Sequence, residues 1–174
     1  MNTSLFRLIN NFAGRSSLLD KLGVFCAEYL MYVMVLVVLY FVFKNYRRWR
    51  DMAIVSLGSA VVARFVVAEI IKRLYNHPRP YWILTNVHLL LAKETESSFP
   101  SGHTIFVFAL ATGVYLYHKT LGKWLLAAAA LVGIARVYAG VHWPYDIIFG
   151  AILGILTALV CDKFFKKYKH KFGL

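Results

Sequence analysis

Apolar positions in this chain run together in long stretches instead of alternating or recurring singly. Nearly continuous apolar runs cover 22–43, 52–72, 101–117, 125–138 and 144–160, and short polar segments, several of them basic, separate them. Crossing a hydrocarbon core about 30 Å thick takes about 20 helical residues. A helix that is apolar on every side can face only lipid or other helices. The pattern therefore predicts an all-α polytopic membrane helix bundle of about five spans, the third and fourth short or interrupted. A sixth span would have to come from 81–92, which at twelve residues is too short to cross and reads as interfacial or partly inserted. Upstream, Leu5, Leu8, Ile9 and Phe12 recur at helical spacing. That spacing fits a short N-terminal amphipathic helix in the interface, and a loosely ordered terminus fits it equally well. Arg7, Asn10, Asn11, Arg15 and Asp20 interrupt the stretch too often for a secretory signal, so the first span is expected to be retained.

Composition agrees with the pattern. With 174 residues, 60% hydrophobic and 16% charged, the chain is sized for one domain, 1–174, and is too apolar for an ordinary soluble fold. A net charge of +12 could suggest nucleic acid, but its placement argues against that partner. Lys44, Arg47, Arg48 and Arg50 follow the first run, Lys119 and Lys123 the third, and Lys163, Lys166, Lys167, Lys169 and Lys171 the last. Five spans put these segments on one face, which the positive-inside rule makes cytoplasmic, with the N-terminus on the other side. Cys26 and Cys161 fall near opposite faces and suit neither a disulfide nor a metal; both read as small apolar core residues.

Chemistry-bearing residues concentrate on the less basic face, in three stretches. Lys72 ends the second run, and Arg79 follows across a segment stopped by Pro78 and Pro80. Alone, either cation would read as a snorkelling residue among headgroups. Arg73 and His77, in the same segment, read as surface or supporting groups. Pro100-Ser101-Gly102-His103 stands at the start of the third run. There Ser101 can cap a helix whose first amides form an anion site, and an imidazole at position 103 is costly unless used. Arg136, His142 and Asp146 bracket the turn into the last run. Four residues apart, Asp146 can bond one nitrogen of His142 and leave the other as a lone-pair nucleophile; a purely structural His–Asp pair is the ordinary alternative. Glu28, Arg64 and Glu69 are charges inside apolar runs. Glu28 is read as the partner of Arg64, with the alternative that Glu28 or Glu69 orients Lys72 or substrate. Gly150 and Gly154 permit close helix approach, within the bundle or at a dimer face.

In order and spacing, Lys72-x6-Arg79-Pro80, Pro100-Ser101-Gly102-His103 and Arg136-x5-His142-x3-Asp146 resemble the motifs of the type 2 phosphatidic acid phosphatase family, membrane-embedded lipid phosphatases related to the vanadium haloperoxidases. The resemblance implies that His142 attacks phosphorus, Asp146 orients it, and His103 protonates the leaving oxygen and then activates water. It further implies that Lys72, Arg79, Arg136 and the amides near Ser101 and Gly102 hold the phosphate oxygens, with no metal or cofactor. One position departs from the family: Ala135 stands where a serine usually precedes the arginine, so a phosphate-binding hydroxyl is expected to be missing. Within the family, the short chain, the amphipathic start, Leu18-Leu19-Asp20 and Glu28-Tyr29 resemble the bacterial undecaprenyl-pyrophosphate phosphatases of the bacitracin-resistance type. That implies a cytoplasmic-membrane enzyme acting on a lipid diphosphate from the extracytoplasmic side. Phosphatidylglycerophosphate and phosphatidic acid phosphatases share the same motifs. A lipid-phosphate binder or transporter is the alternative of another class; it would need the cations but neither histidine. Oligomeric state stays open.

Overall fold

The computed structural model describes residues 2–172, which form seven helices: α1 (Asn2–Asn10), α2 (Ser17–Lys44), α3 (Tyr46–Leu74), α4 (Pro80–Ile83), α5 (Gly102–Tyr117), α6 (Lys119–Tyr138) and α7 (Pro144–Phe172). Among the described residues there is no strand. Two of the turns are a single residue long, and each is fixed by that residue's side chain. Asn45 Oδ1 accepts from Arg48 N at 3.1 Å and starts α3; His118 Nδ1 accepts from Leu121 N at 3.3 Å and starts α6. Trp49 stacks on His118 with ring centroids 5.3 Å apart, and Phe41 meets both rings, so the two turns close one end of the bundle together. Lys169 pairs with Asp51 at this end, and Tyr117 donates to Asp162.

At the other end Ser101 N donates to the Asp146 carbonyl, tying the starts of α5 and α7, while Tyr138 at the end of α6 donates to Asp20 near the start of α2. Each of α2, α3, α5, α6 and α7 thus runs between the same two ends, giving the five crossings expected. Four of the five are long and apolar enough to span a membrane; they include α6, an uninterrupted 20 residues where a short or interrupted fourth span was expected, whereas α5, at 16 residues, is shorter. At about 24 Å it lies packed by α3, α6 and α7, with ten of its residues buried. The stretch 81–92 adds no sixth crossing, because after α4 it is irregular chain at the second end. The helices overrun the apolar runs: α3 begins at Tyr46, before position 52, and α7 continues to Phe172, past position 160. Their Lys and Arg flanks are good helix formers and extend each helix beyond the apolar slab.

Small residues let the centre pack closely. A Cβ on Gly154 would stand 2.5 Å from the Ile105 carbonyl oxygen, so Gly154, with Gly150 one turn earlier against Thr104, seats α7 on α5 inside the chain. Large side chains such as Leu36, Phe43, Phe65 and Leu131 point outward, as lipid-facing positions should. Cys26 and Cys161 are free thiols, half-buried rather than core residues.

The N-terminal stretch is helical. Phe6 and Asn10 of α1 are buried, whereas Leu5 and Leu8 with nearby Phe12 are exposed and available to the interface. Asn10 ties the helix to the rest of the chain, together with Arg7, which donates to Thr85 O and Asn86 O, and Phe6, which packs on Trp143. The Asn10 side-chain amide donates to His88 O and Tyr138 O, both at 2.8 Å, and its Oδ1 accepts from His88 N. The expected Glu28–Arg64 pair does not form: Arg64 Nη1 meets Glu69 Oε1 at 2.5 Å. Five residues apart on a regular helix lie about 140° apart around the axis. The π-helical turn Ala63–Val67 narrows that offset, and the long side chains close the rest.

Candidate active site

α6 ends in a glycine turn that fixes the first part of the site. Gly140 has φ of 81°, Gly140 N donates to Val137 O and Val141 N to Arg136 O, closing the helix end that a left-handed glycine favours. Arg136 sits in the last turn before it and His142 two residues after it, both almost fully buried. Pro144 then opens α7, where its missing N–H costs nothing. The Asp146 carboxylate in the first turn points back at the preceding chain. Its Oδ2 accepts from Trp143 N at 2.9 Å and Ser98 Oγ at 2.5 Å, and lies 3.4 Å from His142 Nδ1. Ser98 Oγ is also 3.3 Å from His142 Nδ1. A carboxylate only accepts, so the proton belongs on Nδ1 and Nε2 carries the lone pair. Burial pushes the His142 pKa down to about 4, against the opposing pull of Asp146, which keeps that lone pair free at neutral pH.

The segment from Lys93 to Pro100 supplies what the motif pattern does not show. Tyr81 Oη donates to Glu94 O and accepts from Glu94 N, both at 2.9 Å, and so clasps the backbone of Glu94. The Glu94 carboxylate then bridges two buried guanidiniums, Oε2 to Arg79 Nη2 at 2.5 Å and Oε1 to Arg136 Nη2 at 2.6 Å. Burial works to raise its pKa, but the charges of Arg136 and Arg79 outweigh it and hold the carboxyl at about 2. Arg79 is locked further by Nε to Glu96 O and Nη1 to Val141 O. Lys72 Nζ meets Glu96 Oε2 at 2.6 Å, a bond that lowers the Glu96 pKa.

These groups surround a cavity of about 410 Å³ lined by Arg64, Lys72, Lys93, Glu94, Thr95, Glu96, Gly102, His103 and His142. Of the residues expected from sequence, Lys72, Gly102, His103 and His142 line it directly. Arg79 and Arg136 stand behind Glu94, and Asp146 stands behind His142. Ser101 occupies the N-cap position without capping: its hydroxyl is fully buried and accepts from Thr104 Oγ1 at 3.1 Å. Ala135 does not face the cavity either. It packs with Ala27, Ala139 and Val141 against the first membrane helix, so a hydroxyl there would not meet phosphate in this geometry. His77 is a supporting ring, stacked on Tyr75 and edge-on to Trp143.

Ser98, Tyr81, Glu94 and Glu96 escaped the sequence reading. A signal did exist for the two glutamates. The chain has only 8 acidic residues against 20 Lys and Arg, so acids beside a cationic motif are already candidates for pairing.

The sequence pattern of the PAP2 superfamily matches residues 53–169, which span all three motifs and every helix from α3 onward. The chain belongs to the PAP2 superfamily. It is a helical membrane phosphatase of that superfamily, as its motifs suggest. Among its relatives, the protein named bacitracin transport permease BcrC of Bacillus licheniformis is 36% identical over 159 residues, covering 91% of this chain and 78% of the relative. Undecaprenyl-diphosphatase BcrC of Bacillus subtilis is 27% identical over 165 residues, covering 94% and 84%. The crystal structure of LpxE from Aquifex aeolicus superposes with a TM-score of 0.76 at 34% identity, over 93% of this chain and 94% of that one.

Proposed function

We propose that this PAP2 phosphatase hydrolyses undecaprenyl diphosphate to undecaprenyl phosphate and inorganic phosphate through a phosphohistidine on His142. The observation that carries the mechanism is the buried Ser98–Asp146–His142 unit beside a cavity that also holds His103 and Lys72. A nucleophile needs its lone pair aimed and its proton held elsewhere; here Asp146 and Ser98 hold the Nδ1 side. His142 Nε2 attacks the terminal phosphorus in line, and the bond to the leaving oxygen breaks on the opposite side, where His103 supplies a proton. His103 then takes a proton from the water that cleaves the phosphorus–nitrogen bond. Lys72 and the first amides of α5 stabilise the equatorial oxygens as charge redistributes, and Arg79 and Arg136 join them where the substrate phosphate takes the place of the Glu94 carboxylate that now bridges them.

The name undecaprenyl-diphosphatase on a relative that this chain covers over 84% of its length supports the substrate. The name permease on another matches the transporter alternative. Transport needs the cations but no oriented imidazole, and the Ser98–Asp146–His142 unit therefore favours hydrolysis. The basic residues Lys44, Arg47, Arg48, Arg50, Lys119 and Lys123 gather at the bundle end opposite the site, which supports a cytoplasmic-membrane protein whose cavity opens extracytoplasmically.

The test is phosphate release from undecaprenyl diphosphate, phosphatidic acid and phosphatidylglycerophosphate by purified protein with chelator present. Among the described residues no three His, Cys, Asp or Glu side chains converge as a metal site, so turnover is expected to survive chelation, with the diphosphate preferred. Loss of turnover with rescue by magnesium would overturn the mechanism. His142→Ala should abolish turnover, and His103→Ala should slow it by about 10²–10⁴-fold, the range for losing a general acid. Activated leaving groups should rescue only His103→Ala, because a stable leaving anion needs no proton but nothing replaces an absent nucleophile. The reverse pattern would exchange the two roles.

A further inference from the structure

Arg64 is a cation that none of the three motifs contains. It lies in α3 two turns, about 12 Å, before Lys72, inside the membrane-spanning part of the helix. An arginine there is costly unless it meets a partner or a cavity, and Arg64 meets both. Its guanidinium lines the cavity beside Gly102, His103 and His142. It packs so closely on the start of α5 that a Cβ on Gly102 would stand 2.7 Å from Arg64 Nε. The π-helical turn that displaces it also lets Glu69 hold Nη1 at 2.5 Å, and the Phe65 ring lies 5.4 Å from its Cζ. A guanidinium carries five N–H donors. One bond to Glu69 therefore leaves donors for a ligand.

In-line displacement decides what that ligand is. The nucleophile enters one face of phosphorus and the leaving oxygen departs from the opposite face. With His142 attacking and His103 serving the leaving oxygen, the leaving group emerges on the side of Gly102 and His103, where Arg64 is packed. In a phosphate monoester the departing alkoxide takes a proton from His103 and ends neutral. Arg64 then has no charge to stabilise. In a diphosphate the bridging P–O bond breaks and its electron pair stays on the oxygen of the lipid-bearing phosphate. Even with the His103 proton on that oxygen the group leaves as an anion, and with a second pKa of about 6 it becomes close to doubly charged at neutral pH once that proton is passed on. A fixed cation at its oxygens then lowers the barrier directly.

We propose that Arg64 is a specificity-determining residue: it binds the lipid-bearing phosphate of a diphosphate substrate and stabilises that phosphate as it leaves. Glu69 is its positioning partner. The proposal rests on the lipid-diphosphate reading above, and the experiment separates the two. Purified full-length protein and Arg64→Gln are compared on undecaprenyl diphosphate and on phosphatidic acid. In parallel, methylenediphosphonate and orthophosphate are measured as competitive inhibitors. Arg64→Gln should lower kcat/KM on the diphosphate by about 10²–10³-fold, the usual loss for one transition-state donor, and leave the monophosphate nearly unchanged. It should weaken inhibition by methylenediphosphonate but not by orthophosphate, and Arg64→Lys, which keeps the charge, should recover part of both effects. Equal losses on both substrates and both inhibitors would mean that Arg64 only holds the fold together, and no loss on the diphosphate would mean that it touches nothing in the reaction; either result overturns the proposal. Wild-type protein inert toward the diphosphate overturns the substrate reading instead, and the inhibitor pair still reports on Arg64.

Discussion

One carboxylate oxygen, Asp146 Oδ2, takes the Trp143 amide and the Ser98 hydroxyl and faces His142 Nδ1, so the orientation of the imidazole is over-determined. The i to i+4 spacing of His142 and Asp146 was enough to find the pair from sequence. Ser98 was not, because it reaches Asp146 across 48 positions of chain and no local pattern records such a contact. The setting has a measurable consequence for His142. Burial favours the neutral ring, so its pKa lies near 4, below the usual 6.5. His142 should therefore stay unprotonated, with its nucleophilic lone pair free, down to pH 5. Carbon-13 NMR of labelled histidine, with the His142 signal picked out from those of the six histidines by its loss in His142→Gln, should show that this resonance does not titrate between pH 8 and 5. A His142 signal with its midpoint near 6.5 would place the ring in water and remove it from this site.

Turns and helix ends decide where those residues stand, and here legibility was uneven. Hydropathy located the membrane helices, and Pro144 marked the start of α7. Two kinds of feature were invisible. π-helical turns carry no period that a sequence reading recognises, and missing the one at Ala63–Val67 led to the wrong partner for Arg64. Apart from the single turn of α4, the segment between Tyr75 and Pro100 is irregular and has no period, yet Tyr81, Glu94, Glu96 and Ser98 lie in it and join the first motif to the third. Gly140 shows how much one turn controls. Its φ of 81° disfavours any side chain, and a Cβ would come within 2.6 Å of the His88 carbonyl oxygen. A left-handed conformation costs a non-glycine residue about 1–2 kcal/mol, and misplacing a reacting group by about 1 Å can cost about 10²-fold in rate. Gly140→Ala should therefore lower the thermal midpoint modestly and kcat by at least about tenfold, with the larger effect on rate because His142 stands two residues on. Unchanged kcat would show that the turn does not fix the nucleophile.

Across the whole molecule the two bundle ends differ in kind. One is closed by one-residue turns, a Phe41–Trp49–His118 ring cluster and the basic flanks of α3, α6 and α7. The other is built from longer irregular chain, α1 and the groups around the cavity, and there buried cations are matched to carboxylates. Lys and Arg are retained on the cytoplasmic side of short loops during insertion, so this asymmetry, already visible in the sequence, supports the proposal that the cavity end faces out. The proposal rests on charge alone, and accessibility in intact cells tests it. In a background with Cys26 and Cys161 replaced by alanine, Arg48→Cys and Ala92→Cys each place one exposed thiol, at the basic and cavity ends respectively. A membrane-impermeant maleimide should label Ala92→Cys in whole cells and reach Arg48→Cys only after permeabilisation. Both substitutions lie outside the cavity and should retain turnover, which confirms that the labelled protein is folded. Labelling of Arg48→Cys alone in intact cells would turn the bundle over. The phosphatase would then work on a cytoplasmic lipid phosphate, and the proposed extracytoplasmic diphosphate could not be its substrate.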